Sequence, residues 1–226
     1  MSLNGPKDFY TTTMRRSLLA CLCILLPMTT QAQTSDQSAV IKALNAVPVY
    51  FVATASGSAP SIGAQQQADF SPVFLYSQEA KIAKTELEHE GATGLNVERA
   101  ELGVLYSGEL SKKTKGLKYG LIANPTQLAA AKRLSANQNF SEVPVFIAKH
   151  KNSGEVLTLK QSDGTLAAPL FLEIHRIEAA LDELAKQAPN TAGNFTVEAY
   201  PLSAIVNDMQ RGALNPENVV MIPPVN

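Results

Sequence analysis

Short apolar runs that contain proline recur along the chain and are separated by amphipathic segments. The run at 47–54 (VPVYFVAT) is followed by a second at 69–76 (DFSPVFLY), and a similar pair occurs at 143–149 (VPVFIAK) and 168–173 (APLFLE). Runs of this length, rich in β-branched and aromatic residues, are typical of strands. Proline lacks a backbone donor and suits a first residue or an edge. The pattern therefore predicts two pairs of strands, each joined by a polar connection that contains glycine.

Helical periodicity marks most of the segments between these strands. Ile174, Ile177, Leu181 and Leu184 fall at i, i+3, i+7 and i+10, which is one face of a helix. Ser77 is a favourable N-cap for a helix over 78–90. The remaining predicted helices cover 38–46, 101–110, 126–134 and 201–209. The remaining predicted strands cover 96–100, 119–123, 195–200 and 219–222.

The two halves of the chain resemble each other in order and spacing. The segment VPVYF at 47–51 returns 96 residues later as VPVFI, and VERA at 97–100 returns 100 residues later as VEAY. A fixed long period is typical of duplicated supersecondary units. We therefore predict two pseudo-symmetric repeats, about 38–123 and 124–224, each ordered helix–strand–strand–helix–strand–helix–strand. The fold class is α+β, with helices packed on a mixed or antiparallel sheet.

The N-terminal segment has the layout of a secretory signal peptide. Two arginines precede a 12-residue apolar run at 17–28 (SLLACLCILLPM), and small residues follow as far as Ala32. This run is too short to cross a bilayer as a helix, which takes about 20 residues. We expect 1–32 to be an N-terminal extension and cleaved signal peptide, with translation starting at Met1 or Met14.

The mature chain is expected to be a single domain, residues 33–226, without cysteine. Cys21 and Cys23 both lie in the signal segment, so we expect neither a disulfide nor a thiolate site.

A lipoprotein box at 18–21 and a twin-arginine signal at 15–16 are the less favoured alternatives for export.

Charge and composition exclude two broad classes of protein. The chain has 19 Lys and Arg against 20 Asp and Glu, a net charge of -1, and 45% apolar residues. The near-neutral net charge argues against a basic nucleic-acid-binding protein. The apolar content argues against a chain that its charge keeps disordered. We therefore expect no nucleic-acid partner.

No catalytic or metal-binding motif is present in the sequence. His89, His150 and His175 have no second ligand at a metal-binding spacing, and no P-loop, GxGxxG or GxSxG segment occurs. We predict no catalytic residue, metal or cofactor. A hydrolase with paired carboxylates is kept as a less favoured alternative, because such pairs meet in space rather than in sequence.

Two sets of residues are candidates for contact with partners. Aromatic residues in or beside the strands are candidates for polypeptide binding, although each is more often a core residue: Phe51, Phe70, Phe74, Tyr76, Phe140, Phe146 and Phe171. A basic run is a candidate contact for an anionic membrane surface or an acidic partner, although a solvated loop is the favoured interpretation: Lys112, Lys113, Lys115 and Lys118.

Three longer motifs accompany the paired VPV-aromatic and PVF or PLF segments: VERAELGVLY (97–106), NPTQLAAAKRL (124–134) and PLSAIVNDM…VVMIPP (201–224). In this ordered set of motifs the chain resembles the family of the 22-kilodalton subunit of the translocon at the inner chloroplast envelope, in its cyanobacterial or bacterial periplasmic form. The resemblance covers nearly all of 38–224.

This resemblance implies a soluble exported protein of two pseudo-symmetric halves with hydrophobic pockets and no enzyme activity. It implies a chaperone-like translocation factor that binds unfolded, precursor or outer-membrane polypeptides. The implied location is the periplasm, or the thylakoid lumen in a cyanobacterium, with an outer-membrane assembly machine as a partner. A structural adaptor that docks such a machine and binds no client is the main alternative.

Overall fold

The elements below come from a computed structural model that describes residues 37–54, 70–108, 118–135 and 140–226. They lie within one compact unit, Ala32–Asn226. The strands are β1 (Pro48–Thr54), β2 (Phe70–Phe74), β3 (Leu95–Glu101), β4 (Lys118–Ile122), β5 (Pro144–His150), β6 (Leu159–Lys160), β7 (Leu166–Phe171), β8 (Phe195–Pro201) and β9 (Val219–Ile222). The helices are α1 (Gln37–Leu44), α2 (Ser77–His89), α3 (Leu102–Tyr106), α4 (Pro125–Leu134), α5 (Ile174–Gln187), α6 (Pro189–Ala192) and α7 (Leu202–Gln210), with a 3-10 turn at Pro216–Asn218.

Two mixed sheets organise these elements. The first sheet has the order β3-β1-β2-β4, and the second has the order β8-β5-β7-β9, with the short β6 also paired to β7. In each sheet the second strand is antiparallel to both its neighbours, and the last pair is parallel. The predicted α+β class is confirmed. The shared strand order is what a duplication would produce, and the pseudo-symmetric repeat itself stays a prediction.

The predicted N-cap of α2 is wrong. Ser77 is the first residue of the helix, and its preceding residue, Tyr76, makes no side-chain cap. The Ser77 N–H donates instead to Oδ1 of Asn226 at 2.7 Å. A residue 149 positions away therefore supplies the cap, which local sequence could not indicate.

The main core joins the inner faces of both sheets. Val49 and Phe51 of β1 and Val73 of β2 belong to the same buried cluster as Val145 and Ile147 of β5. Helices α1, α3 and α7 contribute further members of this cluster. Burial of so many apolar side chains in one cluster makes the two sheets interdependent.

A second, smaller core lies on the outer face of the second sheet. It contains Phe146 and Phe171 from the strands, Ala130 and Ala131 from α4, and Ile177 from α5. Helix α4 packs against β5 and β8, and α5 packs against β5 and β7. Two helices therefore close this face.

Helices α1 and α4 stand first in the two predicted repeats, but they pack differently. Helix α1 packs against α3, α7, β9 and the 3-10 turn, and its Val40 and Leu44 belong to the main core. Gly103 of α3 permits this close approach, because a Cβ there would lie 2.6 Å from the carbonyl oxygen of Ile41. Among the described residues, the outer face of the first sheet has no helix that corresponds to α4.

Among the described residues, no helix combines the length and the apolar character needed to cross a membrane.

Candidate functional site

Four residues on adjacent strands form a line across the outer face of the first sheet. Arg99 of β3 pairs with Tyr50 of β1, which pairs with Phe74 of β2, and Phe74 in turn pairs with Ile122 of β4. Directly paired residues share one face of a sheet. We call this line the first row.

The second sheet carries a matching line, which we call the second row. Ala199, Phe146, Phe171 and Ile222 are paired in the same order across β8, β5, β7 and β9. Phe146 and Phe171 are only 0% and 5% exposed, because α4 and α5 cover them.

The first row is less covered than the second. Tyr50 and Phe74 are half-buried, Arg99 is exposed, and Ile122 is 37% exposed. Helix α2 packs against β1, β2 and β3, and Val52 and Leu95 on that same outer face are buried. One described helix thus covers part of a face that takes two helices in the second sheet.

Arg99 gives the first row a charged end. Its position in the second row is held by Ala199, which is uncharged. Within the described part of the chain, Arg99 makes no ion pair. The first row therefore offers two half-buried aromatic rings and an aliphatic side chain beside a guanidinium group that is exposed and has no ion-pair partner among the described residues.

The predicted aromatic residues are distributed over several environments. Phe74 lies in the first row, and Phe146 and Phe171 lie in the second. Phe140 belongs to the smaller core that contains Phe146 and Phe171 and is 5% exposed. Phe51 lies in the main core and is 7% exposed. Their role in polypeptide binding stays a prediction.

Two further predicted aromatic residues lie elsewhere. Phe70 begins β2, and its side chain lies outside the described residues. Tyr76 follows β2 and is half-buried, with its hydroxyl near the side chains of Glu79, Gln127 and Glu173.

Sequence reasoning missed Tyr50, Arg99 and Ile122. The signal for Tyr50 was present, because the alignment of VPVYF with VPVFI places Tyr50 against Phe146. Neighbouring strand residues point to opposite faces, so Tyr50 and Phe51 could not both belong to one surface.

The predicted basic run lies mostly outside the described residues. This holds for Lys112, Lys113 and Lys115, and also for the side chain of Lys118. Lys118 is the first residue of β4, whereas the predicted strand began at Tyr119.

A polar cluster lies where α2, α4 and α5 begin. Asn124 accepts from the N–H groups of Thr126 and Gln127, which caps α4, and its Nδ2 donates to Oε1 of Glu79 at 2.9 Å. The buried Gln127 accepts from the N–H of Ile174 at 2.8 Å, which caps α5. This cluster links the starts of helices in both halves.

Two buried oxygen atoms of the cluster, Oη of Tyr76 and Oε2 of Glu79, make no hydrogen bond of normal geometry to any described residue, although the Gln127 side chain lies close enough to Tyr76 to oppose the rise in its pKa. Burial raises the pKa of Glu79, and the Asn124 hydrogen bond opposes that shift. Burial also raises the pKa of Tyr76, with smaller contributions from the Glu173 and Glu79 carboxylates. Burial favours the neutral forms of both groups.

A shallow groove of about 540 Å³ lies beside α1 and α3. Gln37, Ser38, Lys42, Asn45 and Ser107 supply most of its lining. Ile41 completes the lining, so the groove combines polar side chains with apolar surface. Such a groove can form hydrogen bonds and one ion pair, through Lys42, with a folded surface. In the part of the chain that the structure describes, no group of three or more His, Cys, Asp or Glu residues is arranged to hold a metal ion.

The fold defines a class of protein, an α+β protein of two mixed sheets that share one core. Residues 13–226 match the model of the Tic22-like family, and the chain belongs to that family. The predicted resemblance to the 22-kilodalton translocon subunit is confirmed.

Two solved structures have similar folds. The protein is similar to Anabaena Tic22, a structure described as protein transport, with a TM-score of 0.66 and 18% identity over 84% of this chain and 93% of that one. It is also similar to Tic22 from Plasmodium falciparum, with a TM-score of 0.63 and 15% identity over 82% of this chain and 91% of that one. No curated protein matches the sequence.

Proposed function

We propose that this protein is an exported, chaperone-like transport factor that holds precursor or outer-membrane polypeptides. The observation that carries the proposal is the partly uncovered first row. Membership of the Tic22-like family and the description of the Anabaena relative as protein transport support it. No enzyme activity, cofactor or nucleic-acid partner is part of the proposal.

The first row can supply a useful affinity for an unfolded segment. Complete burial of a Phe or Leu side chain contributes roughly 1.5–3 kcal/mol. A few client side chains packed on Tyr50, Phe74 and Ile122 would therefore approach the roughly 8 kcal/mol of a micromolar complex. Weak, reversible binding of this kind suits a factor that must release its client.

We propose the periplasm as the location, or the thylakoid lumen if the source is a cyanobacterium. The signal-like segment at 1–32 supports this proposal, and it lies outside the described residues. An outer-membrane assembly or translocation machine is the proposed partner.

The test is suppression of aggregation of a chemically denatured reference protein by the purified chain, expressed from its full sequence. We expect dose-dependent suppression near equimolar ratios. Ile122→Lys should reduce it severalfold, because a charge would be placed in the first row.

The matched control is Ile82→Lys on α2. Ile82 is 51% exposed and lies about 200° around the helix from the buried Ala80. We expect this variant to retain full activity, and circular dichroism should show that both variants are folded. If Ile122→Lys suppresses aggregation as well as the wild type, the first row is not the binding surface.

A structural adaptor is the second candidate function, and the polar side chains that line the groove beside α1 and α3 favour it. An adaptor that binds folded surfaces would show no suppression of aggregation. Crosslinking in cells would then capture a membrane-assembly protein through Lys42 rather than through Ile122.

A further inference from the structure

We infer that the first row accepts an amphipathic helix with small residues on its contact face and a carboxylate at the end that meets Arg99. This inference rests on the proposed function, because it specifies the kind of segment that the proposed surface binds.

The second row shows which element fits such a surface. Helices α4 and α5 close the outer face there, and α4 contributes Ala130 and Ala131, which are 2% and 0% exposed. Small side chains let a helix approach the sheet closely, so that the aromatic rings of Phe146 and Phe171 become buried. The first row repeats the same cross-strand order with Tyr50 and Phe74.

The corresponding space on the first sheet lacks a second described helix. Helix α1 cannot fill it from its observed position, because Val40 and Leu44 are held in the main core. The aromatic residues of the first row thus remain half-buried. A helix from another polypeptide would complete the two-helix cover that the second sheet has within its own chain.

The location of the row favours a helix over an extended segment. Tyr50 and Phe74 belong to β1 and β2, which are both interior strands of the sheet. An extended segment gains its main-chain hydrogen bonds at a sheet edge, whereas a helix satisfies its own and can lie on a face.

Arg99 sets the charge preference of the bound helix. It is exposed and has no ion-pair partner among the described residues, and the equivalent position in the closed second row is Ala199. A helix with Glu or Asp near β3 would pair with the guanidinium group. A helix with Lys at that end would be disfavoured.

The experiment measures binding of fluorescently labelled peptides to the full chain by anisotropy. The helical probe has about 20 residues, because shorter isolated helices are marginal in water. It carries an apolar face of Ala and Leu and a Glu at one end. A second probe has proline in the middle, which breaks the helix, and a third has Lys in place of Glu.

We expect the helical probe to bind at least about tenfold more tightly than the proline probe, a difference of about 1.4 kcal/mol. Ile122→Lys should weaken the helical probe, and Ile82→Lys should not. Arg99→Glu should weaken the Glu probe and strengthen the Lys probe, each by about two- to fivefold, as expected for an exposed ion pair.

Several results would overturn the inference and can be told apart from failure of the proposed function. Equal binding of the helical and proline probes, or a charge preference that Arg99→Glu leaves unchanged, would refute a helix-specific site. If the chain holds denatured client but binds neither probe, the proposed function stands and this inference fails. If the chain neither holds denatured client nor binds a probe, the proposed function and this inference both fail.

Sedimentation tests whether a second copy of this chain is the occupant instead. A wild-type dimer that Ile122→Lys dissociates would show this and would overturn the inference.

Discussion

Single polar residues connect helix starts that are far apart in the sequence. Asn124 contacts Glu79, Gln127 caps α5, and Asn226 caps α2. Gln127 and Asn226 satisfy N–H groups that a helix cannot satisfy itself. Within the described residues, the buried oxygens of Tyr76 and Glu79 in this cluster make no hydrogen bond of normal geometry.

We expect Glu79→Gln to stabilise the protein at neutral pH. The folded-state pKa of Glu79 is raised by burial, so the native state binds a proton more tightly than the unfolded state. This part of the stability is present below the unfolded pKa and is lost as pH rises through the raised folded pKa. Glutamine removes that loss because it does not ionise. Its amide oxygen can still accept a hydrogen bond from Nδ2 of Asn124.

The measurement is urea denaturation of the wild type and Glu79→Gln between pH 4 and pH 8. The two stabilities should diverge as pH rises, with the variant higher at pH 7. Glu86→Gln, an exposed change on the same helix, is the control. A wild-type stability that rises relative to Glu79→Gln over this range would contradict the assignment.

We expect Gly103→Ala to destabilise the fold by about 1–3 kcal/mol, as overpacking does. The added Cβ would press on the backbone oxygen of Ile41, 2.6 Å away, and backbone cannot move as cheaply as a side-chain end. Gly193→Ala is the matched control, because Gly193 has nothing within 4 Å of its Cβ position and has helical φ. Equal midpoints for the two variants in denaturant would show that α1 and α3 are not closely packed.

For single residues, the sequence indicated which residues lie in strands better than it indicated what surrounds their side chains. Alternation and the match between Tyr50 and Phe146 could have selected the first row. The caps from Asn226 and Gln127 could not be predicted, because they depend on long-range contacts that no local pattern encodes.

Secondary elements were predicted well, but their packing was not. The strands and the long helices lie close to their predicted ranges, since period and turn residues determine them locally. The sequence did not indicate that α1 enters the main core while α4 covers the second sheet. Both helices have an apolar side, and tertiary packing decides which surface it meets.

We expect truncation of equivalent aromatic residues on the two sheets to have unequal effects. Phe171→Ala should cost about 3–5 kcal/mol, because the ring is 5% exposed and its removal leaves a cavity. Phe74→Ala should cost about 1–2 kcal/mol, because Phe74 is only half-buried. Urea denaturation of both variants measures the difference. Equal large losses would mean that Phe74 is a core residue and not part of a binding surface.

The whole molecule combines one shared core with two unequal outer faces. The inner faces of both sheets belong to one buried cluster, so we expect the described unit to unfold in one transition. The outer faces differ because the second has two covering helices and the first has one described helix. Burial on the outer face of the second sheet therefore contributes to stability, whereas the side chains of the first row stay partly exposed.

We propose that the client is held on the first row. The most direct measurement places a photoreactive amino acid at position 122 or at position 82 of the full chain and irradiates each with a denatured client. We expect strong crosslinks from position 122 and few from position 82, although residue 82 is the more exposed of the two at 51% against 37%. Equal crosslinking from both positions, or stronger crosslinking from position 82, would show that the first row is not the surface that contacts the client.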